Sequence, residues 1–473
     1  MKTAVQSLLA AGLAPGQPLR ALAASGQLGY GIPTPAFHAG MARDPHFVGC
    51  DMGSIDVGPY YLGSGRLATS EAITRRDLTL VLRGARARNV PLLIGTAGTS
   101  GAAPHLAQTL DMLRDIARAE RLDFKMAVIG ADMPRELVAR QLRAGRVHPL
   151  GRIPPLDEAA VHDAAHIVGQ MGNEAFIRAL ACEPDVIVAG RACDTAVFAS
   201  IPVMLGYDTA LAVHMAKIIE CTSICCDPGG RDAILGTLER DSFTLESMNP
   251  ERAATPVSVA AHSLYEQADP MTVQEPDGTL DVSQARFEAV DARRTRVSGA
   301  AWREADQKTV KIEGAQWVAE RAVVCAGSCD PRVIANLAAI EAGVRKNVAA
   351  VLEGSVADYE LVFRVYGAGA TQVYPGARIA AGAEVFFLLE CLASTADAAL
   401  AAATVAKQYL LHHGFPGRLS TGGNIAFPFT PPELRAGTAY RYSVYHVMEC
   451  DDLPGLFPVE VEQVRGSARV AGG

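Results

Sequence analysis

The stretch VIVAGRACDT, residues 186–195, passes from four apolar residues into a glycine and then into a turn that holds Arg191, Cys193, Asp194 and Thr195. This pattern indicates a strand that is buried on both faces and ends at a polar turn. Four upstream segments share the design: FVGCD (47–51), PLLIG (91–95), FKMAVIG (124–130) and AHIVGQ (165–170). We therefore predict that five such strands lie side by side in one sheet.

Helix-like stretches alternate with these segments at 74–88, 105–121, 134–144, 158–164 and 173–181. Apolar strands separated by helices are typical of a parallel sheet covered on both faces. The sequence therefore predicts an α/β fold with a doubly wound, mostly parallel sheet.

The pattern changes after about residue 250. Residues 287–298 predict a hairpin that turns at 291–293, and VKIEG (310–314) predicts the end of a further strand. We interpret this region as an antiparallel extension of the first domain. From about residue 321 the order is strand (322–327), helix (330–342), strands (361–365 and 384–389), helix (394–412) and strand (441–449). This order predicts a smaller α+β domain, so we place the domains at 1–320 and 321–473.

The composition is that of a packed globular protein. The chain has 473 residues, of which 49% are hydrophobic and 20% charged, and its net charge is -8. Because no basic stretch is interleaved with aromatic residues, nucleic acid is not expected as a partner. No signal peptide pattern and no apolar run of about 20 residues is present, so we predict a cytoplasmic protein without a membrane span. The ten cysteines are scattered without paired CxxC motifs, which indicates reduced thiols rather than structural zinc.

The residues that follow each strand are the first candidates for a binding site, because ligands of open α/β sheets bind outside the carboxyl ends of the strands. The Gly/Ser/Thr-rich turn TAGTSG (96–101) would present backbone N–H groups to an anion. It matches neither a P-loop nor a strict dinucleotide motif, so a phosphate, pyrophosphate or carboxylate is the expected ligand. The alternative is that these glycines merely make turns.

Three strand-end carboxylates, Asp51, Asp132 and Asp194, would form a cluster that seats a divalent cation or does acid–base work. Asp132 and Asp194 would alternatively cap the helices that follow them, and for Asp132 the cap is favoured. Arg191 would clamp a carboxylate or phosphate, or else form a salt bridge with a neighbouring aspartate.

Two further segments carry reactive side chains. In HMAKIIECTSICCDPGGRD (214–232), His214, Lys217 and Cys221 share one helix face, and with Glu220 they would supply an acid–base set. The favoured alternative is an amphipathic helix with a salt bridge. The loop CDPGGR (226–231) would approach a ligand with Arg231. The second segment, AHSLYEQADP (261–270), offers His262, Tyr265, Glu266 and Asp269, or is an ordinary exposed helix end.

Several segments taken in order resemble the acyclic terpene utilisation (AtuA-like) family across roughly residues 30–330. They are VGCDMGSIDVGPYY (48–61), IGTAGTSG (94–101), VAGRACDT (188–195), HMAKIIEC (214–221) and CDPGGRD (226–232). The resemblance implies a role in the degradation of branched terpenoid acids as CoA thioesters, and some members are described as lyases or hydratases. It also implies a small companion protein. The family supplies no agreed catalytic residues, so the site assignment depends on the strand-end argument.

These observations predict a cytoplasmic catabolic lyase that adds or removes water on a small carboxylate or an acyl-CoA thioester. The predicted acid–base residues are Asp51, Asp194, His214 and Glu220, and the predicted substrate-binding residues are Thr96, Gly98, Thr99, Ser100, Gly101, Asn173, Arg191, Thr195 and Arg231. The alternatives are a metal-assisted hydrolase that uses a divalent cation, or a non-catalytic CoA- or nucleotide-binding subunit of a partner enzyme. We also expect a homo-oligomer.

Overall fold

The computed structural model describes residues 2–265, 267–356, 358–371, 380–419 and 424–466. The α-helices are α1 Ala4–Ala10, α2 Thr34–Met41, α3 Pro59–Ser64, α4 Glu71–Arg88, α5 Ala103–Glu120, α6 Arg135–Arg143, α7 Glu158–Asp163, α8 Asn173–Leu180, α9 Asp194–Met204, α10 Thr209–Ile219, α11 Pro256–Ser263, α12 Pro331–Ala335, α13 Leu337–Leu352 and α14 Ala396–His412. The β-strands are β1 Leu19–Ser25, β2 Phe47–Asp51, β3 Leu92–Gly95, β4 Phe124–Ile129, β5 Val147–Pro149, β6 Ala164–Gly169, β7 Val186–Ala189, β8 Ile234–Leu238, β9 Phe243–Ser247, β10 Thr272–Glu275, β11 Gly278–Asp281, β12 Arg286–Ala289, β13 Arg294–Ser298, β14 Ala301–Glu304, β15 Thr309–Ser328, β16 Tyr359–Tyr366, β17 Val385–Ala393, β18 Glu433–Glu449 and β19 Val459–Val464.

The described residues divide into two compact units, 2–316 with 442–466, and 317–441. The boundaries fall within β15 and β18, so the chain enters and leaves the second unit along a strand. The predicted domains differ from this division at the C-terminal end, where residues 442–466 return to the first unit. The reason is β19, which pairs antiparallel with β4.

A ten-stranded sheet dominates the first unit, with the strand order β12-β13-β9-β8-β1-β2-β3-β7-β4-β19. The five central strands, β1, β2, β3, β7 and β4, are parallel. The strands on both flanks are antiparallel. The predicted hairpin is confirmed as β12 and β13, which extend one flank. The α/β class and a large mixed sheet with parallel strands are therefore confirmed, while the doubly wound order stays a prediction.

One predicted strand was placed in the wrong sheet, and one strand was missed. The segment AHIVGQ contains β6, which pairs antiparallel with β15 outside the parallel strands. The fifth parallel strand is instead β1, LRALAAS, which pairs with β2. Its Ala-rich sequence lies in residues 1–40, where the sequence analysis predicted no strand.

Both faces of the central strands are buried, as the unbroken apolar runs require. Side chains alternate across a strand, so Phe47 and Ile187 belong to one hydrophobic cluster and their neighbours Val48 and Val188 to a second. The first cluster includes residues of α8, α9 and α10, and the second includes residues of α2, α4 and α5. The sheet is therefore held between two layers of helices.

Helix α4 shows how local sequence sets an element of the second layer. Glu71 lies in its first turn, and Arg86 and Arg88 lie in its last turn, where each charge is stabilised by the helix dipole. The helix ends at Asn89, whose left-handed backbone (φ 50°) donates from its N–H to the carbonyls of Ala85 and Arg86.

In the second unit, β16, β17 and the later part of β15 form an antiparallel sheet. Val324, Leu389 and Leu361 of this sheet share a hydrophobic cluster with α13 and α14. Within the described ranges, no helix is both long and apolar enough to cross a membrane.

Candidate active site

A cleft of about 210 Å³ opens where β1 and β2 end. Because these strands are parallel, their carboxyl ends meet at one edge of the sheet. Asp51 at the end of β2 and Asp194 at the start of α9 both line this cleft, and Tyr30, Arg231 and Tyr265 complete much of its wall. The structure thus brings together two of the predicted acid–base residues and one of the predicted binding residues.

Asp51 is buried, with 3% of its surface exposed. Burial raises its pKa well above the usual range, and the negative charge of Asp194 raises it further. The guanidinium of Arg191 and a weak hydrogen bond from the N–H of Gly53 (3.4 Å to Oδ1) oppose this effect without cancelling it. Asp51 is therefore a carboxyl group that holds its proton more tightly than an exposed aspartate.

Asp194 has a different environment from Asp51. It is half-buried and is the first residue of α9, which runs eleven residues. The positive end of a helix dipole stabilises a negative charge at this position. Of the three carboxyl groups that line the cleft, Asp51 is desolvated, Asp194 lies at a helix N-terminus and Asp56 is exposed.

Lys217 and Glu220 form a buried hydrogen-bonded pair at the end of α10, next in sequence to Cys221, which lines the cleft. The Nζ of Lys217 lies 2.7 Å from Oε1 of Glu220, and the two side chains are each 6% exposed. Burial raises the pKa of Glu220 to about 8, and the charge of Asp194 adds to the effect while Lys217 opposes it. The predicted pairing of Lys217 with Glu220 is confirmed. Glu220 does not line the cleft, yet it interacts electrostatically with Asp51 and Asp194.

The loop between β1 and α2 forms one wall of the cleft, and Asp77 of α4 holds it in place. The Asp77 carboxylate accepts hydrogen bonds from the N–H groups of Gly29 (3.1 Å), Gly31 (2.9 Å) and Ile32 (3.0 Å). These bonds fix the loop on both sides of Tyr30, whose ring centroid lies 5.8 Å from Cζ of Arg231. Sequence reasoning missed Tyr30 and Asp77 because it missed β1. The glycine-rich run that follows β1 was the available signal.

His214 is a core residue. It is fully buried, its Nε2 lies 2.7 Å from Oγ of Ser263, and its ring meets Phe243 edge-on at 5.3 Å. Burial lowers its pKa to about 3, so it is neutral at ordinary pH. His214 does not line the cleft, and these contacts give no support to its predicted acid–base role.

The turn TAGTSG packs inside the protein. The N–H groups of Thr96 and Ala97 donate to Gly190 and Ala189, and the N–H of Gly101 donates to Ala97. Gly98, Thr99 and Ser100 complete the turn, and none of its residues lines the cleft. The N–H groups of Thr96, Ala97 and Gly101 already donate to backbone carbonyls, so they are not free to bind an anion. A binding role for the turn stays a prediction.

Arg191 is paired with Glu313 of β15. Its Nε donates to Oε2 of Glu313 at 2.9 Å, and Lys311 Nζ lies 2.7 Å from Oε1 of the same carboxylate. Burial alone would raise the pKa of Glu313, but the charges of Arg191 and Lys311 overcome that effect and hold the pKa below its usual range. The structure thus favours a salt bridge for Arg191, but the partner is Glu313 of β15 rather than the neighbouring aspartate that was predicted. The opposite charges of Lys311 and Glu313, two residues apart in the predicted strand VKIEG, were the signal for Glu313.

The remaining predicted residues lie at different places in the first unit. Thr195 is buried and donates from Oγ1 to Glu275 at 2.7 Å, and burial raises the pKa of Glu275 to about 7. Asn173 begins α8 and is buried. Asp132 forms a bridge with Val168 and does not line the cleft. These three predicted residues are not brought to the cleft.

Tyr265 belongs to the second predicted segment, residues 261–270, and lines the cleft. Its ring stacks on His262 with the centroids 5.3 Å apart, and it is 46% exposed. Burial lowers the pKa of His262 to about 4. Asp269 is exposed, and Glu266 lies outside the described residues.

The described residues contain no group of three or more His, Cys, Asp or Glu side chains arranged to hold a metal ion. The predicted carboxylate cluster is therefore a pair, Asp51 and Asp194, since Asp132 lies elsewhere. A divalent cation stays a prediction.

A comparison with protein-family models matches residues 74–233 and 244–430 to one family, described as "Acyclic terpene utilisation family protein AtuA". The match extends beyond residue 330, where the resemblance in the sequence was expected to end. No curated protein and no solved structure gives a match. The matched ranges include Asp194, Arg231 and Tyr265 of the cleft.

Proposed function

This chain belongs to the acyclic terpene utilisation family AtuA, and from that premise we propose that it is a catabolic hydro-lyase. The proposed substrate is a small carboxylate or an acyl-CoA thioester, from which the protein removes water or to which it adds water. Family membership sets the catabolic context, and the chemistry of the cleft supports the reaction.

The observation that carries the proposal is the pairing of Asp51 and Asp194 in one cleft with unlike environments. Two titratable groups whose surroundings favour different protonation states are suited to act as an acid and a base. Burial and the charge of Asp194 raise the pKa of Asp51, so Asp51 is suited to donate a proton. Asp194, at the positive end of α9, is suited to accept one.

The proposed dehydration uses both groups. The Asp194 carboxylate takes the proton from the carbon next to the substrate carbonyl. The bond between the neighbouring carbon and its hydroxyl breaks, the hydroxyl takes the proton of Asp51, and water leaves as the carbon–carbon double bond forms. Transfer of the gained proton from Asp194 to Asp51 restores the starting state.

The wall of the cleft supports an anionic substrate. Arg231 is exposed, and a guanidinium binds a carboxylate with two parallel hydrogen bonds. The cleft volume of about 210 Å³ is below the roughly 300–1,000 Å³ of sites that hold drug-sized ligands. A small acid, or the acyl end of a thioester, therefore fits better than a whole CoA molecule.

The test is incorporation of solvent deuterium next to the carbonyl. The protein would be incubated in deuterated water with a panel of small hydroxy acids, unsaturated acids and their CoA thioesters, and the products analysed by mass spectrometry. Variants Asp51→Asn and Asp194→Asn should lose turnover by about 100-fold or more while keeping the melting temperature. Asp241→Asn, an exposed aspartate outside the cleft, is the matched control and should retain turnover.

The outcomes separate the alternatives. Binding without turnover in the native protein, with affinity changed in the Asp51 variant, would overturn the hydro-lyase and favour the non-catalytic subunit. Turnover that requires an added divalent cation and yields hydrolysis would favour the metal-assisted hydrolase. A homo-oligomer and a small companion protein are further proposals, tested by light scattering and by co-purification.

A further inference from the structure

A second, larger cavity lies on the surface of the first unit, in the groove between α2 and α4. Its volume is about 560 Å³, and all of its lining residues belong to these two helices. Phe37, Met41 and Leu80 give it an apolar floor. Gly84 allows the helices to approach, since a Cβ at that position would lie 2.6 Å from Cζ of Phe37.

Arginines surround this apolar floor. Arg76, Arg83 and Arg88 line the groove, all three are exposed, and none of the lining residues carries a carboxylate. Nε of Arg83 lies 3.4 Å from Oε2 of Glu120, and the guanidinium of Arg88 pairs with the carboxylate of Asp44. Exposed ion pairs of this kind contribute about 1 kcal/mol or less, so a phosphate would compete well for both guanidinium groups. Arginine is also the side chain that best matches phosphate geometry.

The groove adjoins the candidate active site through one short segment. Ile32 lines the cleft and Thr34 lines the groove. Arg76 connects the two, because its Nη2 donates to the carbonyl of Ile32 at 3.0 Å and to Oγ1 of Thr34 at 2.8 Å. The cleft and the groove are therefore bordered by the same segment, residues 32–34, and by the arginine bound to it.

We propose that the groove binds the nucleotide end of a CoA thioester, with the adenine on the apolar floor and the phosphates on Arg83 and Arg88. The volumes support this division, since the groove is large enough for a nucleotide and the cleft accommodates a small acyl group. The inference rests on the acyl-CoA form of the proposed function. It assigns a part of the substrate that the cleft itself does not contact.

The test uses adenosine 3′,5′-bisphosphate, which carries the 3′-phosphate of CoA and has no acyl group. It would be titrated calorimetrically into the full chain at low and high salt. Arg83→Gln and Arg88→Gln should each weaken binding by about fivefold to tenfold, and added salt should weaken it further. Arg152→Gln, an exposed arginine outside both cavities, should bind as the native chain does. Adenosine 5′-monophosphate should bind at least about tenfold more weakly.

Three results would overturn the proposal. The first is that the bisphosphate does not bind. The second is that Arg83→Gln and Arg88→Gln bind it as tightly as the native chain does. The third is that the 5′-monophosphate binds as tightly as the bisphosphate, which would indicate a site for free nucleotides. Because this ligand lacks the reacting group, the result is independent of the deuterium experiment. If the bisphosphate does not bind but the protein turns over free acids, the groove proposal is wrong and the hydro-lyase proposal stands. If the bisphosphate binds as expected but no turnover is found, the hydro-lyase proposal is wrong and the groove proposal stands.

Discussion

Arg191 and Glu313 form a buried ion pair, with Nε and Oε2 2.9 Å apart and side chains 5% and 0% exposed. The pair joins the turn after β7 to β15, and its two residues are 122 positions apart in sequence. Because neither side chain reaches water, Arg191 depends on Glu313 for its counter-charge, and Glu313 is also contacted by Lys311. The end of β7, whose sequence suggested a ligand site, therefore also has a structural role.

Removal of the Glu313 charge should destabilise the chain strongly. The variant Glu313→Gln would leave Arg191 buried without its carboxylate, which costs about 3–5 kcal/mol. Urea unfolding followed by circular dichroism measures the change. Glu71→Gln is the matched control, because the Glu71 side chain is 71% exposed in its pair with Arg75, and it should lose less than about 1 kcal/mol. Equal losses of unfolding free energy in Glu313→Gln and Glu71→Gln would contradict a strong contribution of the buried pair to stability.

Two glycines with similar backbones should respond very differently to alanine. Gly101 (φ +69°) would place a Cβ 2.1 Å from the backbone nitrogen of Arg191, whereas Gly145 (φ +72°) has nothing within 4 Å. Gly145→Ala should therefore cost the left-handed strain alone, about 1–2 kcal/mol. Gly101→Ala should cost several kcal/mol more or prevent folding, measured as soluble yield and melting temperature. A similar loss in both variants would show that the backbone around Arg191 adapts easily.

Much of the sheet could be predicted because its strands are buried on both faces. FVGCD coincides with β2, and PLLIG, FKMAVIG and VIVAGRACDT each contain one parallel strand. AHIVGQ has the same apolar character, yet β6 pairs with Ile312–Gln316, whose positions are more than 140 residues away. Local apolarity indicates that a strand is buried but does not identify its neighbour.

The candidate site was predicted in part for a related reason. Asp51 and Asp194 follow parallel strands, so the strand-end argument brought them together. Tyr30 was missed because it follows β1, whose alanine-rich sequence lacks the bulky apolar run of the other strands. The turn at 96–101 follows a parallel strand but packs against Arg191, because its glycines allow the backbones to approach closely. Sequence indicates which residues lie at the sheet edge, whereas packing determines which of them face solvent.

Stability should fall as pH rises through the range in which Glu220 titrates. The folded pKa is about 8 and the reference value is 4.5, so between these values the folded chain holds a proton that the unfolded chain has released. The unfolding free energy therefore decreases as pH increases through this window and levels off above the folded pKa. Glu275, with a pKa raised to about 7, acts in the same direction.

Comparison of variants isolates the contribution of Glu220. Glu220→Gln cannot titrate, so its unfolding free energy should depend less steeply on pH between about pH 5 and pH 9. The measurement is urea unfolding at a series of pH values. Glu71→Gln, whose carboxyl is exposed, should keep the slope of the native chain. Parallel curves for the native chain and Glu220→Gln would show that Glu220 is ionised in the folded state.

Arg231 should determine affinity for an anionic substrate rather than the rate of the chemical step. Its guanidinium lies beside the Tyr30 ring at the cleft wall, at the opposite end of CDPGGR from the buried Cys226. Arg231→Gln should raise KM for a carboxylate substrate by about 10- to 100-fold and leave kcat nearly unchanged, because a charged hydrogen bond to the substrate persists in the transition state.

The control is Arg240→Gln, which changes an exposed arginine outside the cleft and should leave both constants unchanged. Since Arg231 is exposed, the melting temperature without ligand should not move, whereas the increase in melting temperature on adding ligand should shrink. An unchanged KM together with a reduced kcat would instead place Arg231 at the reacting atoms.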